Sequence, residues 1–277
     1  MAIAEALKVN AVLTTLNLGD NSIGDEVAKA IADSLKSGMA VLKNCNFLKN
    51  NLNIESATML VKIGTEKGIM LSGMTRDQTE ASFIHRGLQP ADAILIASDL
   101  QFMAVLTNLN LYHNNIRDDG ARAIAEALKV NPVLTTLNLF DNSIGPEGSI
   151  AIAEALKVNA VLTNLELRGN LIKVDGAKAI AEALKVNPVL TSLDLGRNHI
   201  GDEGAKAIAE ALKVNPVLTS LDLRANIIGV DGAKAIAEVL KVNRAARQRV
   251  LQGRLLKCLP QVDSSLREHP ARRCVPA

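Results

Sequence analysis

Four histidines, three cysteines and a scatter of paired acids are the residues whose chemistry could be catalytic or metal-binding. His85 and His113 lie 28 residues apart at equivalent places in a repeat, so two imidazoles could sit one strand spacing apart and share a metal. The pattern offers no third ligand nearby. The alternative is two solvent-facing polar residues. Cys45, Cys258 and Cys274 have no paired spacing, which argues against a disulfide framework or a thiolate zinc site. Asp118-Asp119 and Asp202-Glu203 fall at helix starts, where acids complement the helix dipole without any catalytic role. No phosphate-binding loop, dinucleotide fingerprint, H-E-x-x-H or G-x-S-x-G is present. The expectation is a protein with no cofactor, no metal and no catalytic residue.

The elements that must position any site are repeated. AIAEALKVN occurs verbatim at 2–10, 123–131, 151–159, 179–187 and 207–215, and once more at 235–243 with Val239 in place of Ala. Between the copies runs L-x-x-L-x-L-x-x-N-x-I, for example Leu190, Leu193, Leu195, Asn198 and Ile200. Its last Leu recurs at 111, 139, 167, 195 and 223, a period of 28. Upstream units begin at Leu16 and Leu18, at Cys45 and Phe47, and at Ala81 and Phe83, giving eight strand units. The third follows after 36 residues, so about eight extra residues fall in Lys67–Gln78.

In L-x-L both leucines share one strand face. In Ala205, Ile208, Ala209 and Leu212 the apolar residues share one helical face, with Lys206, Glu210 and Lys213 in water. Gly204 or its equivalent is expected just before the helix, and Asn215-Pro216 ends it. One such unit cannot bury its apolar face alone, so units stack. Strands stack at about 4.8 Å and helices at about 10 Å, so the stack curves with strands inside. The recurring Asn21, Asn50, Asn114, Asn142, Asn170, Asn198 and Asn226 fit a ladder that satisfies backbone groups where each strand turns away. Arg86 takes that slot in the third unit, where the ladder should break.

These motifs resemble the leucine-rich repeat family, in its long ribonuclease-inhibitor-like class, over about residues 1–243. The resemblance implies an α/β fold: a curved leucine-rich repeat solenoid, or horseshoe, with parallel strands on the concave face and helices on the convex face. It also implies binding of another protein rather than catalysis. The class includes the sensor arms of NOD-like receptors and the Ran GTPase-activating proteins. Two alternatives follow: a GTPase activator, for which Arg117 on a strand-to-helix loop is the candidate arginine, or the ligand-sensing arm of a longer receptor. The acidic tail common among the Ran regulators is missing here.

The strand positions that vary between repeats are the candidate partner-binding residues. The column after the last core residue reads Gly19, Leu48, Ile84, Tyr112, Phe140, Arg168, Gly196 and Arg224; the next includes His113 and Arg197. The central column supplies Glu166, Asp194 and Asp222. Only five aromatic residues exist in the chain, and Tyr112 and Phe140 are neighbours on the exposed column. An apolar and aromatic stripe beside interleaved acids and arginines suits a protein partner, since Tyr and Arg dominate such interfaces. The competing reading is repeat drift, with acids and arginines neutralising one another.

Hydrophobic residues make up 48% and aromatics 2%, so the core is thin, layered and built of Leu, Ile, Val and Ala. The net charge of +2 conceals an asymmetry. Arg244–Ala277 carries +6, leaving −4 for the repeats. Residues 244–259, with Val250, Leu251, Leu255, Leu256 and Leu259 on one face, are expected to cap the last repeat; a basic membrane or nucleic-acid helix is the alternative. Residues 260–277 are expected to be disordered. The weak overall charge argues against nucleic acid, and no apolar run is long enough to span a membrane. No small-molecule substrate is indicated. The chain opens inside a repeat, which suggests a fragment of a longer protein or a partner packed on that edge. The insertion at 67–78 is either a tolerated surface loop or a protruding recognition loop with Met70, Met74 and Arg76 as contacts. A cytoplasmic setting follows from the cysteine usage and the lack of a signal peptide.

Overall fold

Each repeat turns its L-x-L leucines inward and its Ala/Ile helix face onto them, and the computed structural model shows the resulting stack over residues 2–38 and 41–241. Three-residue strands alternate with helices: β1 (Thr15–Asn17), β2 (Asn44–Asn46), β3 (Glu80–Ser82), β4 (Asn108–Asn110), β5 (Thr136–Asn138), β6 (Asn164–Glu166), β7 (Ser192–Asp194) and β8 (Ser220–Asp222). The helices are α1 (Ala2–Val9), α2 (Gly24–Ser37), α3 (Ile54–Lys67), α4 (Pro90–Asp99), α5 (Arg117–Val130), α6 (Pro146–Val158), α7 (Lys173–Val186) and α8 (Gly201–Val214). Residues 230–241 form a further helix. All pairings are parallel, and from β3 to β8 each rung is offset by 28 residues. Helices pack only on their sequence neighbours, as a one-dimensional stack requires. Leu109, Leu111, Leu137, Leu139, Leu165 and Leu167 are fully buried between the layers.

Two asparagine ladders run through the stack. In the expected one, the Asn170 amide donates to Leu139 O and Leu167 O, while its Oδ1 accepts from Asn142 N and Ile144 N of the preceding unit. Asn198 and Asn226 repeat this, and Asn21 at the first unit is exposed. The second ladder uses the Asn that closes AIAEALKVN. Asn159 Nδ2 donates to Leu128 O, and its Oδ1 accepts from Val161 N and Leu162 N. Asn131, Asn187 and Asn215 do the same. Each ladder bonds two units through one side chain, so backbone groups freed by the tight turns stay satisfied.

Gly204 does not precede its helix. It lies in the first turn of α8, where a Cβ would clash with Ile200 Cγ2 of its own turn and stand 3.0 Å from Ala177 Cβ of α7. The glycine is there because adjacent helices approach closely, not to start the helix. The helix-start acids also act across repeats. Asp118 Oδ1 accepts from Gly145 N and Gly148 N, and Asp202 Oδ1 from Gly229 N and Gly232 N, so each caps the next helix. On the outer face Glu-Lys pairs at i,i+3, such as Glu154–Lys157 at 2.6 Å, contribute a few tenths of a kcal/mol each.

The sheet is not continuous. β1 and β2 form one ladder and β3 to β8 another. The insertion makes the break. After Gly68, in left-handed conformation at φ 68°, Met70 takes the place beside Asn44 that the first residue of β3 would fill. Cys45 N donates to Met70 O at 2.8 Å and Phe47 N to Leu71 O at 2.9 Å. The chain then leaves the sheet and returns at Glu80, which pairs with β4 alone. The segment is therefore neither a plain surface loop nor a protruding one. Met70 and Met74 are buried in the core, because the gap beside β2 needs apolar filling, and of the three expected contacts only Arg76 is exposed.

Helix α4 seals the break with two buried carboxylates seven residues apart, on one face. Asp99, where sister repeats have Ala127, Ala155, Ala183 and Ala211, accepts from Leu71 N at 2.8 Å, Ser72 N at 2.8 Å and Ser72 Oγ at 2.6 Å. Asp92, where they have Gly120 or Gly148, accepts from Lys49 N at 2.7 Å and Gln89 N at 2.8 Å. Burial pushes both carboxyls up, Asp99 to about 6, against the pull of the bonded donors. The ladder does break at Arg86, which is exposed. The expected cap at 244–259 and tail at 260–277, with Cys258 and Cys274, lie outside the described residues. Cys45 is fully buried, and burial alone raises its thiol to about 12, which leaves it unreactive.

Candidate concave-face binding site

The central column of strand residues is first of all a set of turn supports. Asn110 Oδ1 accepts from Tyr112 N and Asn138 Oδ1 from Phe140 N, both two residues on. Asp194 serves Gly196 N and Asp222 serves Arg224 N in the same way. In these units the chain is thereby bent at a fixed place after the strand, and the next side chain is aimed off the sheet. The column that follows Tyr112 and Phe140 is not strand. Asp20, Lys49, His85, His113, Asp141, Arg197 and Ala225 all have φ between 53° and 62°. At Gly169 (φ 70°) a Cβ would stand 2.8 Å from Phe140 Cε2, so this glycine makes room for the ring.

The supports and turns gather rings on three successive units and an arginine on the fourth. The His85 and Tyr112 rings meet edge-on at 4.9 Å, Tyr112 and Phe140 lie 4.7 Å apart at 33°, and the Arg168 guanidinium stands 5.3 Å over Phe140. Such contacts prefer offset or cationic partners, and both occur here. His85 and His113 rings are 4.2 Å apart, and His113 Nδ1 meets Asp141 Oδ2 at 2.6 Å. Among the described residues no group of three metal-ligating side chains forms. Phe83 and Phe102 pack against the apolar core and Phe47 is within it, whereas Tyr112 and Phe140 do not join the core cluster. Ile84 is 40% exposed beside them.

Leu48 departs from this pattern. It is 6% exposed and belongs to the core at the break, so it offers no surface to a partner. The charged half is partly self-neutralised. Arg224 Nε donates to Asp222 Oδ2 at 2.7 Å, which holds the Asp222 carboxyl below the usual range. Burial, then the nearby Asp194 charge, raises Glu166. Arg197 is exposed on its turn. Arg117 is exposed at the start of α5 with its Nε on Asn115 Oδ1 at 3.1 Å. The features missed in the sequence are the second Asn ladder, visible as the closing residue of AIAEALKVN, and Asp92 and Asp99, visible as acids in slots that are Gly and Ala elsewhere.

The leucine-rich repeat pattern matches residues 9–32, 103–125, 130–153, 158–181, 186–209 and 214–237. The chain belongs to the leucine-rich repeat family. No curated protein matches it by sequence. Among solved structures it is similar to the leiomodin-1 actin-binding site 2, at 23% identity and a TM-score of 0.47, over 60% of this chain and 96% of that one. It is also similar to the Caenorhabditis elegans tropomodulin C-terminal domain, at 16% identity and a TM-score of 0.39, over 73% and 98%. The repeat protein LegL7 of Legionella pneumophila matches at 18% identity and a TM-score of 0.39, over 77% and 66%. No helix among the described residues is long and apolar enough to cross a membrane.

Proposed function

We propose that this chain is a non-enzymatic scaffold that binds another protein across its concave face, centred on Tyr112 and Phe140. The carrying observation is the ladder of His85, Tyr112 and Phe140 rings in contact, capped by the Arg168 guanidinium, with Tyr112 and Phe140 outside the core. Rigid aromatics flanked by an arginine lose little conformational freedom on binding, which suits a hot spot. Ile84 and His113 extend the patch, and Glu166, Asp194, Arg197, Asp222 and Arg224 form its charged continuation. Leu48 has no part in it. The partner is sought by affinity purification, and the site is tested with the identified partner against Tyr112→Ala combined with Phe140→Ala. Unchanged affinity would move the site elsewhere. A cytoplasmic setting fits the buried, unreactive Cys45.

A further inference from the structure

The break in the sheet leaves a cleft of about 750 Å³ along β1 and β2, lined by none of the ladder's residues. Three cations line it, Lys43, Lys67 and Arg76, and no carboxylate does. Arg76 is held in place, with Nη2 on Gly68 O at 2.8 Å and its guanidinium 5.0 Å over the Phe102 ring. The buried carboxylate that Arg76 helps to stabilise, Asp99, is already satisfied by Leu71 and Ser72. Lys43 and Lys67 are exposed and make no ion pair among the described residues, unlike the helix lysines paired at i,i+3.

Between the cations lie the amides of Asn17 and Asn46, joined Nδ2 to Oδ1 at 2.9 Å, and the half-buried side chain of Leu16. Gly73, at φ 79°, keeps the floor open, since a Cβ there would press on Asn46 at 3.0 Å. A bare phosphate would leave most of this volume empty. Asn17 Oδ1 accepts from Gly19 N and Asn46 Nδ2, and Asn46 Oδ1 from Leu48 N, which leaves amide N–H groups for peptide carbonyls. With Leu16 for a side chain and three cations at the rim, these match an extended acidic peptide instead. We infer that this cleft is a second binding site, for an acidic peptide segment of a protein partner, built by the insertion that interrupts the repeats.

The test uses the full chain at low salt and a fluorescent short peptide alternating glutamate and leucine, with its glutamine counterpart as control. Saturable binding of the glutamate peptide alone is expected. Lys43→Glu with Lys67→Glu should weaken it about 10-fold or more, as loss of close charge complementarity does. Lys129→Glu with Lys157→Glu, the same charge change on α5 and α6, should leave it within a factor of about two. Tyr112→Ala with Phe140→Ala should leave it unchanged, so this site and the concave site fail or stand separately. Circular dichroism checks the fold, and Lys43→Gln with Lys67→Gln replaces the charge reversal if that perturbs it. Absence of binding, equal loss in both charge-reversed pairs, or complete displacement by millimolar inorganic phosphate would each overturn the assignment.

Discussion

Phe140 owes its place to two residues: Asn138, which holds its N–H, and Gly169, which leaves room for its ring. Gly169→Ala would put a methyl at 2.8 Å from the ring in a left-handed backbone, which should cost about 1–2 kcal/mol in urea unfolding and displace Phe140. Asp99 gives a second prediction. Its folded value of about 6 exceeds the ordinary 3.8, so between these limits the folded chain holds the proton more tightly than the unfolded one. The stability it confers is therefore complete below about pH 4 and declines as pH rises through 6. Unfolding at pH 4.5 and pH 7 should show a fall on the order of 2 kcal/mol in the wild type relative to Asp99→Asn. An equal slope in both proteins would contradict the role given to Asp99. At this scale the placement of Tyr112 and Phe140 outside the core was legible, because the alternation that buries Leu111 and Leu139 carries on past the three-residue strands. The same alternation misplaces Leu48, which the break draws into the core, and reads His113 and Arg197 as strand positions where the backbone has already turned to positive φ.

Helix α4 is the element that departs from its sisters. It carries acids where they carry Gly and Ala, and both acids bond the backbone of the unit before it. Asp99→Ala installs the residue that four sister repeats use, yet it should destabilise by about 2–3 kcal/mol, because Leu71 N and Ser72 N lose a charged acceptor in the core. The reverse change, Ala183→Asp in α7, should also destabilise by at least that much, since Ala183 is fully buried among apolar side chains. Guanidinium melts of both variants measure this; a neutral Asp99→Ala would mean the break is held by other contacts. Strand and helix existence was plain from the exact period. The path of the insertion was not. Its surplus length is countable, but whether it bulges outward or fills the sheet depends on pairing with β2 and on an acid 28 residues away.

For the whole molecule, the break divides a stack whose stability passes from neighbour to neighbour. Amides of β1 and β2 should exchange with deuterium at lower protection than those of β4 to β7, since that two-stranded end can open without disturbing the six-stranded ladder. Uniform protection would show that α3 and α4 couple the two parts fully. The near absence of aromatics also acquires a meaning at this scale. A thin layer repeated with a 28-residue offset excludes rings, and the two that stand outside it meet on the inner face. The most direct measurement of the central claim is titration calorimetry of an identified partner with the wild type and with Tyr112→Ala combined with Phe140→Ala. A loss of about 2 kcal/mol or more, roughly 30-fold in Kd, is predicted; an affinity equal to that of the wild type would contradict it.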